Sequence, residues 1–98
     1  MNRPAETNPM NLDSDAIIAA IKQEIVRIAD RLDCDASELQ EDELIPASGL
    51  IDSAGLLELI AWFEASYAFS IPPADLTIDN LGTMQAMADY LRRSKGAA

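Results

Sequence analysis

The stretch "GLIDSAGLLELIAWFE", from Gly49 to Glu64, decides how this chain folds. Its apolar residues recur at helical spacing, which predicts a helix from Ser53 to about Ala68. Pro72 and Pro73 forbid a simple continuation, because proline lacks a backbone donor and clashes with the preceding turn. One side of this helix should face a core, and it holds Leu56, Leu59, Phe63 and Tyr67.

A second apolar flank lies beside Ser53. Leu57, Ile60 and Ala61 share it with the acidic Glu64. A helix that is apolar on every side is normally buried, but a small bundle has too little mass to enclose one helix completely. We therefore expect apolar residues to stay on the surface near the serine, as a docking face for a partner. The alternative is that Leu57 and Ile60 pack under the preceding loop.

Two further helices are predicted on either side. The first runs from about 14 to 32 and is capped by Asp13 or Ser14. Its apolar stripe holds Ile17, Ile21, Ile25, Ile28 and Leu32. The last runs from 84 to 93 behind a Thr83 cap, and its inward residues are Met84, Met87, Ala88 and Leu91.

In the segments between these helices, apolar residues no longer recur at helical spacing. Asp33 to Asp52 predicts a long loop with at most one helical turn, which four apolar residues attach to the core: Leu39, Leu44, Leu50 and Ile51. "PADLTID", Pro73 to Asp79, predicts one short helical turn. The fold class is therefore all-α, a small bundle of three main helices and one short helix. We expect flexible tails at 1–12 and 95–98 around a domain at 13–94.

Charge is the strongest feature of the composition. Seventeen acidic residues face seven basic ones, for a net charge of −10, and no Lys or Arg occurs from Leu32 to Leu91. Such a surface repels nucleic acid and anionic membranes and favours basic protein surfaces, although acidity also serves solubility alone. No apolar run approaches the roughly 20 residues of a membrane span, and the N-terminus lacks the apolar region of a signal peptide. We expect a soluble, cytoplasmic monomer.

The sequence lacks the residues that several kinds of catalytic and metal site require. There is no histidine, which removes Ser-His nucleophiles and imidazole ligands. The single Cys34 lies between Asp33 and Asp35, whose charges disfavour a thiolate. "DCDASEL" begins like a calcium loop, but Glu38 and Leu44 stand where such a loop needs glycine and glutamate. We therefore expect no metal site and no stand-alone enzyme.

Ser53 has two interpretations. A serine at a helix start is usually an N-cap. The helix N-terminus also presents free N–H groups that suit a phosphate, so a phosphodiester on Ser53 would be favoured there. Asp52 and Glu58 are close in sequence, but neither is placed to act as a strong base on this serine.

A family resemblance separates these interpretations. "LIDSAGLLELIAWFEASYAFSIPPADL" followed by "NLGTMQAMADYL" resembles the acyl carrier protein family, from Leu50 to Leu91. The Asp-Ser pair is joined by "LEL", F-x-x-x-Y, "IP" and T-x-Q-x-x-A-x-Y-L. The first helix and the long loop fit the family as well.

The resemblance implies a specific function. Asp52-Ser53 matches the family's Asp-Ser pair, so Ser53 would receive 4′-phosphopantetheine from coenzyme A through a separate phosphopantetheinyl transferase. The thiol of that arm would carry cargo as a thioester, and the domain itself would catalyse nothing. Other partners would be a ligase or synthetase that loads acyl or aminoacyl groups, and downstream transferases with basic docking surfaces. The residues that would dock them are Leu57, Glu58, Ala61 and Glu64.

The two residues that follow the serine, Ala54 and Gly55, differ from those of many fatty-acid carriers. Many fatty-acid carriers have leucine where Ala54 stands, and Gly55 with the "LIDS" lead-in is similar to D-alanyl and stand-alone aminoacyl carriers. These features favour an aminoacyl or specialised acyl cargo over bulk fatty acid biosynthesis. The alternative from another class is a helical adaptor that binds a partner without a prosthetic group.

Overall fold

The computed structural model describes residues 12–96, and throughout that range the regular structure is helical. This confirms the all-α prediction with its three main helices. Residues 1–11 and 97–98, which include most of the predicted tails, lie outside the described residues. The helices are α1 (Ser14–Arg31), α2 (Ile45–Ser48), α3 (Ser53–Tyr67), α4 (Ile78–Leu81) and α5 (Met84–Ser94), with a 3₁₀ turn at Pro73–Asp75.

Helix α1 packs its isoleucine stripe against α3 and α5. The predicted residues Ile17, Ile21, Ile25 and Ile28 are all buried. Leu32 is an exception, because the helix ends at Arg31 and leaves this side chain 42% exposed. Asp13 is the cap, since its carboxylate accepts a hydrogen bond from the Ala16 N–H at 3.2 Å.

Helix α5 is capped as predicted. The Thr83 hydroxyl accepts a hydrogen bond from the Ala86 N–H at 2.9 Å. The four residues expected to face inward are all buried: Met84, Met87, Ala88 and Leu91. Arg92 also reaches the start of the described chain, where its Nε donates to the Leu12 carbonyl at 3.1 Å.

The connection between α1 and α3 contains the one helical turn that the sequence allowed, α2. The prediction that Leu44 attaches this loop to the core is wrong, because Leu44 is 46% exposed and the next residue, Ile45, is buried instead. Ile45 is the first residue of α2 and turns inward there. Its N–H donates to the Gly82 carbonyl at 2.7 Å, so α2 is fastened to the end of α4.

Helix α3 ends before the two prolines. Ala68 takes a left-handed conformation with φ 53°, and its N–H donates to the Glu64 carbonyl. The predicted single turn at 73–79 is two separate turns, the 3₁₀ turn and α4. Thr77 divides them because its hydroxyl accepts from the Asn80 N–H at 3.2 Å and starts a new helix.

Candidate functional site

Ser53 is the first residue of α3 and is exposed at its N-terminus. The interpretation of Ser53 as the N-cap is wrong. Asp52 is the cap: its Oδ1 accepts from the Gly55 N–H at 2.8 Å, and its carbonyl accepts from the Leu56 N–H at 2.8 Å. Asp52 has the extended backbone that a cap requires, and the chain turns helical only at the serine. Ser53 is thereby left without a structural role at the helix start.

The free donors at this helix end surround the serine hydroxyl. With Gly55 and Leu56 bonded to Asp52, the Ser53 and Ala54 N–H groups have no acceptor within residues 12–96. The Ser53 hydroxyl also makes no hydrogen bond to any described residue. An exposed hydroxyl beside two unused N–H groups is suited to bear a phosphate group, whose oxygens those donors can bind.

Gly55 holds this end of α3 close to α1. A Cβ atom at this position would lie 2.9 Å from Ile28 Cγ2 and 3.2 Å from Asp52 Oδ1. A methyl group therefore cannot be added unless the Ile28 side chain or the capping carboxylate shifts. The glycine allows the two helices to approach closely beside the serine, so the start of α3 rests against α1.

Two adjoining concavities lie near Ser53, which lines the first of them. One, of about 300 Å³, is lined by Pro46, Ile51, Asp52, Ser53 and Leu56. The second, of about 130 Å³, shares Pro46 and Leu56 and continues along α4. Its other lining residues are Ile60, Leu76, Thr77, Ile78 and Leu81. Together they form an open, mostly apolar groove between α3 on one side and α2 and α4 on the other.

Apolar side chains remain on the surface near Ser53. Leu57 is 66% exposed and Ala61 is also exposed. The alternative that Leu57 packs under the loop is therefore wrong, whereas Ile60 is half-buried in the groove wall. Ile78 adds a second large apolar residue to this end of the molecule, with 61% of its surface exposed.

A family model described as the phosphopantetheine attachment site matches residues 19–91. The chain belongs to this family. The match spans α1 to the last turns of α5, so it covers most of the described bundle and contains Ser53. No curated protein and no solved structure matches the chain.

Membership in the phosphopantetheine attachment family confirms the resemblance to acyl carrier proteins and the predicted cofactor. Domains of this family carry 4′-phosphopantetheine covalently, serve phosphopantetheinyl transferases and partner enzymes, and are generally carriers rather than catalysts. The residues around Ser53 fit the group, since the exposed hydroxyl and the two unused N–H groups suit a phosphodiester.

The two acids predicted to border the docking face are both engaged. Glu58 receives Arg27 Nη2 at 2.8 Å and Arg31 Nη2 at 2.5 Å, and both arginines come from α1. Hydrogen bonds from Arg31 and Arg27 hold the pKa of the Glu58 carboxyl below its usual value. Glu64 Oε2 accepts from the Ile71 N–H at 2.7 Å and so helps to fix the turn after α3.

Sequence reasoning missed the two arginines. Arg27 and Arg31 lie four residues apart, and Arg27 is also paired with Glu24 of its own helix. Their spacing indicated one solvent-facing stripe of α1, which is a weak signal. The two arginines meet Glu58 where α1 and α3 pack together, three residues along α3 from Gly55.

Other site types are absent from the part of the chain that the structure describes. No cluster of three or more metal-ligating side chains occurs among residues 12–96. Cys34 is half-buried and has no disulfide partner. None of the described helices is long and apolar enough to span a membrane.

Proposed function

We propose that Ser53 carries the 4′-phosphopantetheine arm and that the chain holds acyl or aminoacyl groups as thioesters on it. The arm supplies the thiol that binds the cargo. The protein supplies the attachment hydroxyl, the support that holds it, and the surface by which enzymes find it. The chain itself catalyses no step.

One observation supports this assignment most directly. Within the motif, Asp52 performs the capping that a helix-start serine would otherwise perform, which leaves the Ser53 hydroxyl unbonded and exposed. Ser48, four residues before the cap, is a useful contrast. Its hydroxyl donates to the Ile45 carbonyl at 2.7 Å and accepts from the Leu50 N–H at 3.2 Å, so it is fully engaged.

The modification requires little from the chain beyond this hydroxyl. Ser53 Oγ forms a bond to the phosphorus nearest the pantetheine in coenzyme A, and adenosine 3′,5′-bisphosphate leaves with the bridging oxygen. The hydroxyl proton must pass to a base of the transferase, because no described side chain is hydrogen-bonded to Ser53 Oγ. The Ser53 and Ala54 N–H groups would then be available to bind phosphodiester oxygens.

The docking face comprises Leu57, Glu58, Ala61 and Glu64 on α3. Leu57 and Ala61 form its apolar centre, and the two carboxylates stand at its borders. Burial of an exposed leucine in a partner's recess contributes the larger share of affinity, while charges at the rim steer association. The partners are a phosphopantetheinyl transferase, a loading ligase or synthetase, and the transferases that take the cargo onward.

The cargo belongs to a dedicated biosynthetic pathway rather than to bulk fatty acid synthesis. Ala54 and Gly55 support this, because many fatty-acid carriers have leucine in place of Ala54, and Gly55 with the "LIDS" lead-in is similar to D-alanyl and stand-alone aminoacyl carriers. The carrier acts as a monomer in the cytoplasm, where it meets coenzyme A and the loading enzymes.

Intact mass spectrometry tests the proposal. The purified chain is measured before and after incubation with coenzyme A and a broad-specificity phosphopantetheinyl transferase. We expect a gain of one phosphopantetheine. Cleavage after Glu43 and Glu58 releases a peptide that contains Ser48 and Ser53, and fragmentation should place the added mass on Ser53. A folded helical protein that gains no mass would instead favour an adaptor without a prosthetic group.

A further inference from the structure

The edge between α1 and α3 holds a charge cluster beside the docking face. We call Arg27, Arg31 and Glu58 the arginine clamp. Arg27 and Arg31 bind different oxygens of the Glu58 carboxylate, Oε2 and Oε1, so both acceptor atoms are occupied. Arg27 also bonds Glu24, so two formal positive charges meet two negative ones at this edge.

The clamp changes what α3 offers to a basic partner. Helix α3 has two acidic residues, and no acid lies in its first turn. Glu64 is hydrogen-bonded to the Ile71 N–H, and Glu58 is held by the clamp. A chain with a net charge of −10 therefore offsets the charge of its docking helix at Glu58, and Glu64 is left as the one acid of α3 that no described cation offsets.

A partner cation that approaches Glu58 finds both carboxylate oxygens bonded to guanidiniums. The Glu58 side chain is 38% exposed, and those of Arg27 and Arg31 are 53% and 55% exposed, so the two guanidiniums lie at the same surface as the carboxylate. The cation must displace one of them or remain beside both, and like charges at close range oppose association.

We propose that Arg27 and Arg31 mask Glu58 and so select partners that dock through an apolar recess for Leu57 rather than through a cation opposite Glu58. This proposal rests on the proposed function, because it concerns enzymes that act on the Ser53 arm. The two arginines are specificity determinants that lie on α1, outside the motif that carries the serine.

The first test removes the clamp and measures the rate of modification. The second-order rate constant is measured with a broad-specificity transferase of basic docking surface and coenzyme A, for wild type and for Arg27→Gln/Arg31→Gln. Removing two local positive charges should raise the rate constant about threefold to tenfold at low salt, and the gain should vanish as salt screens the charges.

A matched control separates masking from net charge. Arg93→Gln/Lys95→Gln removes two positive charges from the end of α5, outside the arginine clamp, and should change the rate constant by less than about twofold. Arg31→Gln alone serves if the double clamp variant folds poorly, although exposed ion pairs contribute little to stability.

The second test asks whether the effect passes through Glu58. Glu58→Gln should lower the rate constant less in the wild type than in the clamp variant, because the arginines already offset this carboxylate in the wild type. In Arg27→Gln/Arg31→Gln it should cancel the gain. An NMR titration should also show the pKa of the Glu58 carboxyl returning upward toward its ordinary value when both arginines are removed, because their hydrogen bonds hold it down.

Three outcomes would overturn the masking. One is slower modification of the clamp variant, which would mean that partners bind the arginines themselves. Another is an equal effect of Glu58→Gln in both backgrounds. The third is an equal gain from the α5 control. A wild-type chain that is never modified would overturn the proposed function and the masking with it, whereas the other outcomes leave the carrier assignment intact.

Discussion

Helix α5 turns its large apolar residues inward, whereas α3 leaves several of its own outside. In α5 the non-buried positions are mostly polar or charged, including Gln85, Asp89 and Arg93. In α3 only four of fifteen residues are buried, namely Gly55, Leu59, Phe63 and Tyr67. Several hydrophobic residues of α3 remain partly or largely exposed, namely Leu57, Ile60, Ala61 and Trp62.

This difference separates folding from function. The bundle needs one inward stripe from each helix, and the residues of α5 are accounted for by that need. Helix α3 carries an apolar surplus around its N-terminal half, beside the free Ser53 hydroxyl. Ile60 and Trp62 still pack partly against the core, whereas the exposed Leu57 and Ala61 do not, and these two are the apolar centre of the proposed docking face.

The largest expected effect is at Ser53. Ser53→Ala should abolish the mass gain completely while leaving the free energy of unfolding within about 0.5 kcal/mol, because this exposed residue is neither cap nor core. Ser48→Ala is the control and should still be modified. A modified Ser53→Ala protein would refute the site.

Truncation of a side chain should affect stability on the buried side of α3 and modification of Ser53 on its exposed side. Phe63 is fully buried and packs edge-on against Tyr67 and Phe69, with ring centroids 5.5 and 5.3 Å away. Phe63→Ala should lower the free energy of unfolding by about 3–5 kcal/mol. Leu57→Ala should change it by less than about 0.5 kcal/mol and yet slow modification. Urea unfolding and transferase kinetics measure the two effects, and a strongly destabilised Leu57→Ala would break the distinction.

Gly55 and Ala61 test whether close packing outweighs helix propensity. Alanine is favoured over glycine in a helix by about 1 kcal/mol, but the added methyl at Gly55 meets Ile28 at 2.9 Å. Gly55→Ala should therefore destabilise the protein, by about 1–3 kcal/mol. Ala61→Gly, at an exposed site in the same helix, should cost about 1 kcal/mol through propensity alone. A stabilised Gly55→Ala would show that α1 moves aside freely.

The smallest expected effects on stability come from the N-caps of α3 and α5. Asp52→Ala and Thr83→Ala each remove a side chain that accepts from the third following N–H, at 2.8 and 2.9 Å. Each should cost about 1 kcal/mol in thermal or urea unfolding. Only Asp52→Ala should also slow modification of Ser53, because its helix end supports the hydroxyl. Equal modification rates for the two variants would show that the Asp52 cap does not support modification of Ser53.

Much of this architecture was predictable from apolar spacing. The isoleucines of α1 and the methionines of α5 recur at helical intervals and are buried where that period places them. The spacing fails where a helix is too short to show a period. Leu44 and Ile45 are adjacent and equally apolar, and the direction of the α2 turn decides which of them is buried.

The candidate site was predictable in its serine but not in its surroundings. Ser53 stood out because Asp-Ser precedes an apolar helix within a recognisable motif. The choice of Asp52 over Ser53 as cap depends on one residue's backbone conformation. The partners of Glu58 lie 27 and 31 residues earlier, and no local pattern records a contact between helices at that separation.

The hydrogen bond from the Ile45 N–H to the Gly82 carbonyl has a mechanical consequence for the groove beside Ser53. One wall of the groove is α3, and the other is formed by Pro46 of α2 with Ile78 and Leu81 of α4. This bond joins the start of α2 to the residue after α4, and the Gln85 N–H of α5 donates to the Glu41 carbonyl at 3.0 Å, so the second wall is linked across the chain at two points. A change in the width of the groove therefore requires α2 and α4 to shift together or the bond at Ile45 to break.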